Sequence, residues 1–500
     1  MSLAIIFSRA LMGIDAPLVT VETHLSNGLP GFSIVGLPEA AVRESKDRVR
    51  SALLNTDFEF PIDKIIINLA PADLPKEGGR FDLPIALGIL AASHQLPREI
   101  LADYEFAGEL ALSGKLRPIQ GALPLAIQTK KAKRKLIIPI ENADEAALVQ
   151  SLDIFPAKHI IDVFAHLTNK KKIEPHVKNP DDEIRLMEIT SDMSEVKGQH
   201  HAKKALEISA AGEHSLLLMG PPGTGKTMLA SRMPTILPTM TEKEAIEIAA
   251  IHSISHQGFQ MHRWKKRPFR APHHSASSVA LVGGGNPPKP GEISLAHQGV
   301  LFLDELPEFN RHVLEALREP LESGTITISR AARQSEFPAQ FQLIAAMNPC
   351  PCGYLGDPQG HCRCTADQVQ RYRQRISGPI LDRIDLHVEV PRLPVTLLSS
   401  LKDDEEKSNP IRSRVEAARS IQLERAQKSN AQLSSKEIAQ HCQLQPDEKK
   451  LLDQAIEKLH LSARSYHRIL RVARTVADLA HSEIILRQHL LEALSYRKID

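Results

Sequence analysis

The 500-residue sequence predicts an α/β protein with a small helical part at its C-terminal end, on three observations. Short β-like apolar runs alternate with helical patterns from residue 1 to about residue 165. The same alternation returns between residues 190 and 392. From residue 411 onward the chain has one proline, no glycine and helical periodicity throughout. A chain of this length is too long for one hydrophobic core, so two or three domains are expected.

Two polar segments divide these parts. The first is lysine-rich and broken by Pro175 and Pro180, and the second is a run of charges that ends at Pro410. We therefore predict α/β domains at 1–168 and 190–392 and a helical domain at 411–500. The linkers between them are predicted at 169–189 and 393–410.

Composition limits the partners and the compartment. The net charge is +2, so any surface for nucleic acid must be a local basic patch. No run of 18 or more apolar residues is present, so no membrane partner is expected. The mildly apolar start lacks a basic segment before it and is interpreted as a first strand rather than a signal peptide. A cytoplasmic protein with reduced thiols is the expectation.

A phosphate-binding loop follows the apolar run at residues 215–219. It fits the pattern G-x-x-x-x-G-K-[ST], and a helical pattern begins at Met228. Its members are Gly220, Pro221, Pro222, Gly223, Thr224, Gly225, Lys226 and Thr227. Glycines let backbone N–H groups point at phosphates, and the helix amino terminus adds positive potential. We expect ATP here, with Lys226 on the terminal phosphates and the Thr227 hydroxyl at a Mg²⁺ position.

Two carboxylates follow the apolar run at residues 300–303. Ligands bind at the carboxyl ends of strands in parallel α/β sheets. Asp304 is therefore expected to hold Mg²⁺ through water, and Glu305 to accept a proton from the attacking water. An isolated Asp-Glu pair is usually solvated surface, but the strand before it and the phosphate loop upstream favour the catalytic interpretation.

A third apolar run, at residues 341–347, ends in Asn348, which is placed to orient the water. Arg383 follows a helical segment and is predicted to stabilise transition-state charge across a subunit boundary. The alternative is a structural ion pair with Asp382 or Asp385. Competitors for the same role are Arg371, Arg373 and Arg375. Arg464 in the helical part is also predicted to contact the nucleotide. Arg468, Arg471 and Arg474 on the same helix are competitors for that role.

Four of the five cysteines lie close together as two C-x-C pairs with nine residues between them. They are Cys350, Cys352, Cys362 and Cys364. Four thiolates fill a tetrahedral Zn²⁺ shell, as in structural zinc sites. Unliganded buried thiols or a redox pair are the alternatives. We predict zinc in a loop near a ring pore or a subunit boundary, and His361 either replaces one cysteine or faces the solvent.

Basic residues concentrate at residues 261–290, a segment without Asp or Glu. Arg263, Lys265, Lys266, Arg267 and Arg270 are candidate phosphate contacts, and Trp264 and Phe269 are candidate stacking surfaces for bases. The alternative is a solvated basic loop. Residues 324–344 further predict a β-hairpin with Arg330 and Arg333 near its tip.

Several motifs together resemble AAA+ ATPases, and more narrowly the magnesium-chelatase-like branch. They are Val196-Lys197-Gly198-Gln199, the phosphate loop, Arg270-Ala271-Pro272-His273-His274-Ser275, residues 291–297, residues 348–353 and the Arg383 segment. Over nearly the whole chain the sequence is similar to the bacterial ComM (YifB) family.

This resemblance implies a ring-forming, usually hexameric, DNA branch-migration helicase that acts in recombination during natural transformation. Single- and double-stranded DNA, further copies of the chain and recombinase-coated DNA are the partners it implies. In chelatase-like relatives the basic segment matches an insert that points toward the pore, and the hairpin with Arg330 and Arg333 faces the pore.

The first domain resembles the Lon-protease C-terminal fold, similar to ribosomal protein S5 domain 2. Arg80 stands where those proteases carry the serine, and Leu123 stands where they carry the lysine. Ser33, Ser45 and Ser113 are surface candidates without a paired base. With the dyad lost, the domain is interpreted as a binding or assembly platform.

Three rival functions stay open. A metal-chelatase subunit uses the same ATPase core, but the cysteine cluster and the protease-like first domain count against it. An ATP-dependent protease is disfavoured by the missing dyad, and a scaffold without enzymatic activity by the intact Lys226, Asp304 and Glu305.

Overall fold

The computed structural model describes residues 2–177, 191–330, 333–356, 361–393, 405–458 and 462–497. The chain divides into two compact units. Unit 1 comprises Met1–Met187 and Ala245–Trp264, and unit 2 comprises Glu188–Glu244 and Lys265–Asp500. The predicted domain and linker boundaries stay predictions, and residues 178–190 and 394–404 lie outside the described residues. Across the part of the chain that is described, no helix has both the length and the apolar character needed to cross a membrane.

Unit 1 contains a four-stranded sheet in the order β1-β2-β4-β3. Its strands are β1 (Ser2–Arg9), β2 (Leu18–Ser26), β3 (Gly31–Val35) and β4 (Lys64–Ala70). Only β3 and β4 pair in parallel. Burial alternates strictly along β2, so one face of this sheet carries the core.

A second, parallel sheet in unit 1 has the order β5-β8-β9. Its strands are β5 (Tyr104–Phe106), β8 (Lys135–Pro139) and β9 (Ile154–Ala157), and β6 (Glu109–Leu110) pairs with β7 (Leu116–Arg117). The helices are α1 (Ala40–Arg43), α2 (Ser45–Leu54), α3 (Asp82–Ala92), α4 (Ala122–Lys131), α5 (Ala143–Ala146) and α6 (Ile160–Leu167). Every residue of α3 is buried, so this apolar helix lies at the centre of the core.

Residues at the positions of the protease dyad are buried in unit 1. Arg80 donates from Nη2 to the Gln120 carbonyl at 2.8 Å, and Leu123 has no exposed surface. Burial lowers the pKa of Arg80 to about 10, against a small opposing effect of Glu77. The interpretation of Ser45 as a surface serine is wrong, because its side chain is buried and hydrogen-bonds to Arg48.

Unit 2 is built on a five-stranded parallel sheet in the order β11-β14-β17-β10-β18. Its strands are β10 (Leu216–Met219), β11 (Phe269–Arg270), β14 (Val300–Leu303), β17 (Gln342–Met347) and β18 (Leu386–Glu389). All of β10, β14 and β17 is buried, as expected for parallel strands covered on both faces. Two hairpins add β12 (Gly283–Gly284) with β13 (Lys289–Pro290), and β15 (Thr325–Arg330) with β16 (Arg333–Pro338).

The helices after residue 190 fall into two groups, and one of these helices belongs to unit 1 from residue 245 to its end at residue 253. Those before residue 392 are α7 (His200–Gly212), α8 (Lys226–Arg232), α9 (Glu242–Ser253), α10 (Ser278–Val282), α11 (Glu292–Leu295), α12 (Arg311–Glu315), α13 (Arg318–Ser323), α14 (Ala366–Arg373) and α15 (Gly378–Leu381). Those after it are α16 (Ser408–Ala426), α17 (Ser435–His441), α18 (Pro446–Lys458), α19 (Ala463–Leu479) and α20 (Arg487–Ser495). The helical C-terminal part shares one buried cluster with the sheet, which includes Leu216, Ile411 and Ile469.

Candidate functional site

The phosphate loop connects β10 to α8, as the sequence pattern predicts. Gly223 and Gly225 have φ values of +76° and +88°, which only glycine adopts without strain, and a Cβ at either would meet nothing within 4 Å. The Thr224 hydroxyl donates to the Pro221 carbonyl at 3.0 Å and closes the turn. The loop is therefore an open backbone cradle at the amino end of a helix, the arrangement that suits a phosphate.

Lys226 lies inside this cradle. Its ammonium group donates to the carbonyls of Gly220 at 2.7 Å and Pro221 at 2.9 Å, and to Asn348 Oδ1 at 3.2 Å. Burial lowers the pKa of Lys226, while the negative charges of Asp304 and Glu305 oppose that shift. The structure thus brings together the lysine and the asparagine, which the sequence placed after two different strands.

The two carboxylates lie beside the phosphate loop. The Thr227 hydroxyl donates to Asp304 Oδ2 at 2.7 Å, and the Glu305 N–H donates to Asp304 Oδ1 at 2.9 Å. Glu305 has φ of +53°, a left-handed conformation that is uncommon outside glycine and frequent at functional sites. Strands β10, β14 and β17 are paired in parallel, so their carboxyl ends place these groups at one edge of the sheet.

His274 also reaches this edge, and sequence reasoning gave it no role. Its Nδ1 lies 3.2 Å from Glu305 Oε2, and its ring contacts His273 at a centroid distance of 4.1 Å. The strand pairing explains its position: β11 pairs in parallel with β14, so the residues after β11 lie beside those after β14. Without an assigned strand order, the sequence did not show which segment is the neighbour of Glu305.

Arg383 lies away from the phosphate loop. It precedes β18, and because β18 runs parallel to β10, it is at the opposite, amino-terminal edge of the sheet. Its guanidinium donates to the Pro379 carbonyl at 2.7 Å and pairs with Glu322. The side chain is buried, and its Nε has no hydrogen-bond partner among the described residues.

Arg464 is exposed and shares a cavity with Arg383. This cavity of about 170 Å³ is lined by Glu322, Asp382, Arg383, Arg464, His467, Arg468 and Arg471. Arg468 joins the two segments, donating to the Arg383 carbonyl at 2.6 Å and to Asp385 Oδ1 at 2.7 Å. The structure therefore groups the two predicted arginines with each other and separates both from the lysine and carboxylates.

The three competing arginines before Arg383 have different surroundings. Arg375 is half-exposed and pairs with Glu308 at 2.9 Å, while Arg373 Nε donates to the Pro349 carbonyl at 3.4 Å. Arg371 is exposed on α14. The choice among these arginines stays a prediction.

The four cysteines form one group. Their sulfur atoms all lie within 4.8 Å of one another. Cys350 Sγ is 3.8 Å from Cys362 Sγ, and Cys352 Sγ is 3.7 Å from Cys362 Sγ. Tetrahedral zinc with Zn–S bonds of about 2.3 Å needs sulfur atoms about 3.8 Å apart, so the group fits such an ion. His361 is exposed and is not a member of the group, and Cys442 is buried in the core cluster of unit 2.

The basic segment is more engaged than the sequence suggested. Arg267 donates to the carbonyls of Pro238 at 2.8 Å and Gln298 at 2.7 Å, and Arg270 forms a bidentate pair with Glu292 at 2.6 Å. DNA contact by these two arginines would compete with such pairs. Arg263, Lys265 and Lys266 are partly exposed.

Of the two aromatic residues in the same segment, Trp264 is buried and Phe269 is partly buried. Trp264 is only 6% exposed and lies edge-on to Phe259, and Phe269 stacks on Phe302. The expectation of a stacking surface for bases is therefore wrong for Trp264 in this structure, and for the partly exposed Phe269 it stays a prediction.

The predicted hairpin is present, with its tip where the sequence placed it. Arg330 pairs with Arg333 at the end of β15 and β16, and the second strand ends at Pro338 rather than continuing to residue 344. The two residues between them, 331 and 332, lie outside the described residues, as do the side chains of both arginines.

Comparison with known proteins covers most of the chain. Residues 192–398 match the family described as magnesium chelatase, subunit ChlI. Residues 21–142 match the description "subunit ChlI of Mg-chelatase", and residues 405–497 match the ChlI C-terminal family.

Full-length relatives agree with these matches. Competence protein ComM of Haemophilus influenzae is 55% identical over 99% of this chain and 98% of its own length. The uncharacterized protein YifB of Escherichia coli is 52% identical over 100% of this chain and 98% of its own. Lon protease 2 of Bacillus subtilis is 28% identical over 36% of this chain and 33% of its own. The chain therefore belongs to the ComM/YifB family of magnesium-chelatase-type AAA+ proteins, a membership that indicates an ATPase.

Proposed function

We propose that this protein is an ATP-driven DNA motor, a hexameric branch-migration helicase that serves homologous recombination during natural transformation. The main support for an ATP-driven motor is that Lys226, Thr227, Asp304 and Glu305 lie close together at one edge of the sheet. The support for DNA comes from the full-length similarity to a protein named for competence.

ATP fits the cradle of the phosphate loop. The open space beside Gly223 and Gly225 admits phosphate oxygens close to backbone N–H groups. Lys226 exchanges its carbonyl acceptors for the terminal phosphates, which are better partners for an ammonium group. Asn348 lies within reach of Lys226 and orients the water beside the terminal phosphate.

Mg²⁺ fits the pair of oxygen donors next to that loop. The Thr227 hydroxyl and the Asp304 carboxylate are 2.7 Å apart, and hard oxygen ligands are what Mg²⁺ prefers. Bound there, the ion supplies charge neutralisation for the phosphates. Glu305 holds the adjacent position and takes the proton of the attacking water.

A ring explains the separation of Arg383 and Arg464 from the phosphate loop. Both line one cavity at a distance from their own nucleotide site, at the sheet edge opposite to it. In a closed ring, this edge of one subunit meets the nucleotide of the next. Arg383 then stabilises charge in the transition state across the boundary, and Arg464 contacts the same nucleotide.

Zinc fits the four-cysteine group, and it has a direct test. Protein purified under reducing, chelator-free conditions should contain about one zinc per chain, because four thiolates fill one tetrahedral shell. Elemental analysis by mass spectrometry measures this. A content near zero in folded protein would reject the metal. Replacing Cys442, which is buried and outside the group, with Ala is the matched control and should leave the zinc content unchanged.

DNA binding by the partly exposed lysines of the basic segment gives the test of the motor itself. Single-stranded DNA should raise the ATPase rate, and the protein should unwind or migrate a forked substrate. The double variant Lys265→Ala with Lys266→Ala should weaken DNA binding about tenfold and reduce its salt dependence. With two phosphate contacts fewer, DNA binding releases fewer counterions.

The control for this test is Lys130→Ala with Lys131→Ala, because these lysines are exposed on α4 in unit 1 and interpreted as a solvated face. Rates are compared over a salt series with the same fork. An ATPase that ignores DNA, together with an inactive fork assay, would remove the DNA motor from consideration.

The alternative function is a magnesium-chelatase-like ATPase subunit that drives remodelling of a protein or of a metal-insertion partner. The family matches along the chain favour it. The same experiment decides, because such a subunit has no need of DNA for its ATPase.

A further inference from the structure

We propose that the four-cysteine loop is a metal-dependent clamp on the nucleotide site: its metal holds Asn348 and the phosphate loop in the geometry that nucleotide binding needs. This inference rests on the proposed metal site and the proposed nucleotide site, and it concerns the contacts that connect the two. The expectation that the loop lies near a ring pore or a subunit boundary stays a prediction; within the chain, its contacts lead to the phosphate loop.

The connection begins along the chain. Only Pro349 separates Asn348, the partner of Lys226, from Cys350, the first thiol of the group. Cys350 is fully buried and close in space to Cys352 and Cys362. A metal on these thiolates therefore fixes the chain two residues beyond the Asn348 side chain.

A second connection passes through Gly353, which follows Cys352. Gly353 is buried with φ of +85°, and a Cβ built on it would lie 2.7 Å from Pro222 Cδ of the phosphate loop. Its N–H donates to the Cys350 carbonyl at 3.0 Å, so the turn that packs on Pro222 is part of the thiolate loop. The phosphate loop thus rests directly on the backbone between the cysteines.

The third connection closes the loop from its far end. Thr365, the residue after Cys364, caps α14 with a capping box. At the other end of that helix, the Tyr372 hydroxyl hydrogen-bonds with the backbone of Asn348, and Arg373 donates to the Pro349 carbonyl at 3.4 Å. Both ends of segment 348–373 are therefore held at the base of the nucleotide site, with the thiolates between them.

The physical consequence is a coupling between metal and nucleotide. Without a metal, no disulfide bond joins the Cys350–Cys352 pair to the Cys362–Cys364 pair, and holding the two pairs together costs chain entropy that nucleotide binding must offset. Thermodynamic linkage requires that bound nucleotide raise the affinity for the metal by the same factor by which bound metal raises the affinity for the nucleotide. Couplings of this kind are typically in the range of about 5- to 150-fold.

A pair of alanine variants isolates the contact with Pro222. Gly353→Ala places a methyl group against Pro222, and Gly356→Ala places one at a similar φ of +78° with nothing within 4 Å. Both alanines carry the same backbone strain, so the difference between them reports the contact. In the full chain, Gly353→Ala should weaken binding of fluorescent Mg·ADP about tenfold relative to Gly356→Ala. Equal affinities in the two variants, with equal metal content, would overturn the clamp.

The second arm removes the metal from the wild-type protein with a chelator and then restores excess Mg²⁺. Affinity for Mg·ADP should fall at least about fivefold, and saturating ADP should raise the affinity for Zn²⁺ by the same factor in a competition with a colorimetric chelator. Unchanged ADP affinity in stripped, folded protein contradicts the proposal. If Gly353→Ala also loses its metal, this arm decides. If the purified protein never contains metal, the assignment of zinc is wrong. This outcome is distinguishable from a metal that is bound but does not affect ADP affinity, which rejects the clamp alone.

Discussion

Glu305→Gln should bind ATP with near-normal affinity and hydrolyse it at least about 100-fold more slowly, the usual contribution of a general base. The amide keeps the size of the carboxylate but does not accept the proton of water at neutral pH. The phosphate cradle and the Thr227–Asp304 pair are untouched by the change. Fluorescent nucleotide binding and phosphate release, both measured with DNA present, separate the two steps.

Lys226→Ala is the comparison that gives this result its meaning. It should lose nucleotide binding as well as hydrolysis, because the phosphates lose their main cationic side chain. Glu308→Gln is the matched control for the carboxylate, since Glu308 lies three residues on, half-exposed and paired with Arg375. An exposed ion pair contributes little, so its rate should stay within a few-fold of wild type. Normal turnover by Glu305→Gln would remove Glu305 from the general-base role.

His274 adds a condition to this prediction. Its Nδ1 is 3.2 Å from the Glu305 carboxylate, so part of the carboxylate's hydrogen-bonding capacity is already engaged on the side of β11. Hydrolysis then requires Glu305 to face the water near the terminal phosphate instead. The comparison of Glu305→Gln with wild type should therefore be made under DNA saturation, where the motor is expected to turn over fastest.

The grouping of the phosphate loop with the two carboxylates was predictable from sequence because its signals are local. The phosphate loop and the carboxylates each follow a fully apolar strand, and the parallel arrangement of these strands brings their ends together. The position of Asn348 at the end of β17 was predictable for the same reason, and its role toward water stays a prediction.

Ion pairs and contacts between residues far apart in the chain could not be predicted from these local patterns. Glu322 lies 61 residues before Arg383, and the sequence suggested only the adjacent aspartates as ion-pair partners. Asp385 instead pairs with Arg468 from the helical part; although burial alone would raise the pKa of Asp385, Arg468 and His214 hold it below its usual range. The contact of Gly353 with Pro222 is equally invisible in sequence, because glycine carries no pattern that indicates what lies beside it.

Local pattern also misled where packing decides the outcome. Trp264 in a basic segment suggested base stacking, yet the ring is buried against Phe259. An aromatic residue contributes most when its large apolar surface is buried, and this outweighs the polar character of its neighbours in the chain.

The arginine arrangement gives the second large effect and tests the ring. Arg383→Ala should bind ATP almost normally but hydrolyse it at least about 100-fold more slowly, since a finger arginine supplies a large part of the transition-state charge. The buried position of Arg383 makes a check of folding necessary, and thermal unfolding of the variant should stay close to wild type because its partner Glu322 is largely exposed and does not become a buried unpaired charge. Arg487→Ala, which removes an exposed arginine at the start of α20 that has no predicted role, is the matched control.

Mixing the two inactive variants decides between action across a boundary and action within one chain. Arg383→Ala has an intact phosphate loop, and Lys226→Ala has an intact Arg383, so a mixed ring contains some boundaries at which both groups are present. Hydrolysis should therefore return in the mixture of two variants that are each inactive alone. Subunit exchange must first be shown by energy transfer between labelled chains, with DNA present to promote assembly. Because Arg383 lies at the sheet edge opposite its own phosphate loop, the geometry leaves it no short route to its own nucleotide. A mixture that exchanges subunits and stays inactive would assign Arg383 a structural role with Glu322 and Pro379, and would direct the same experiment to Arg371, Arg373 and Arg375.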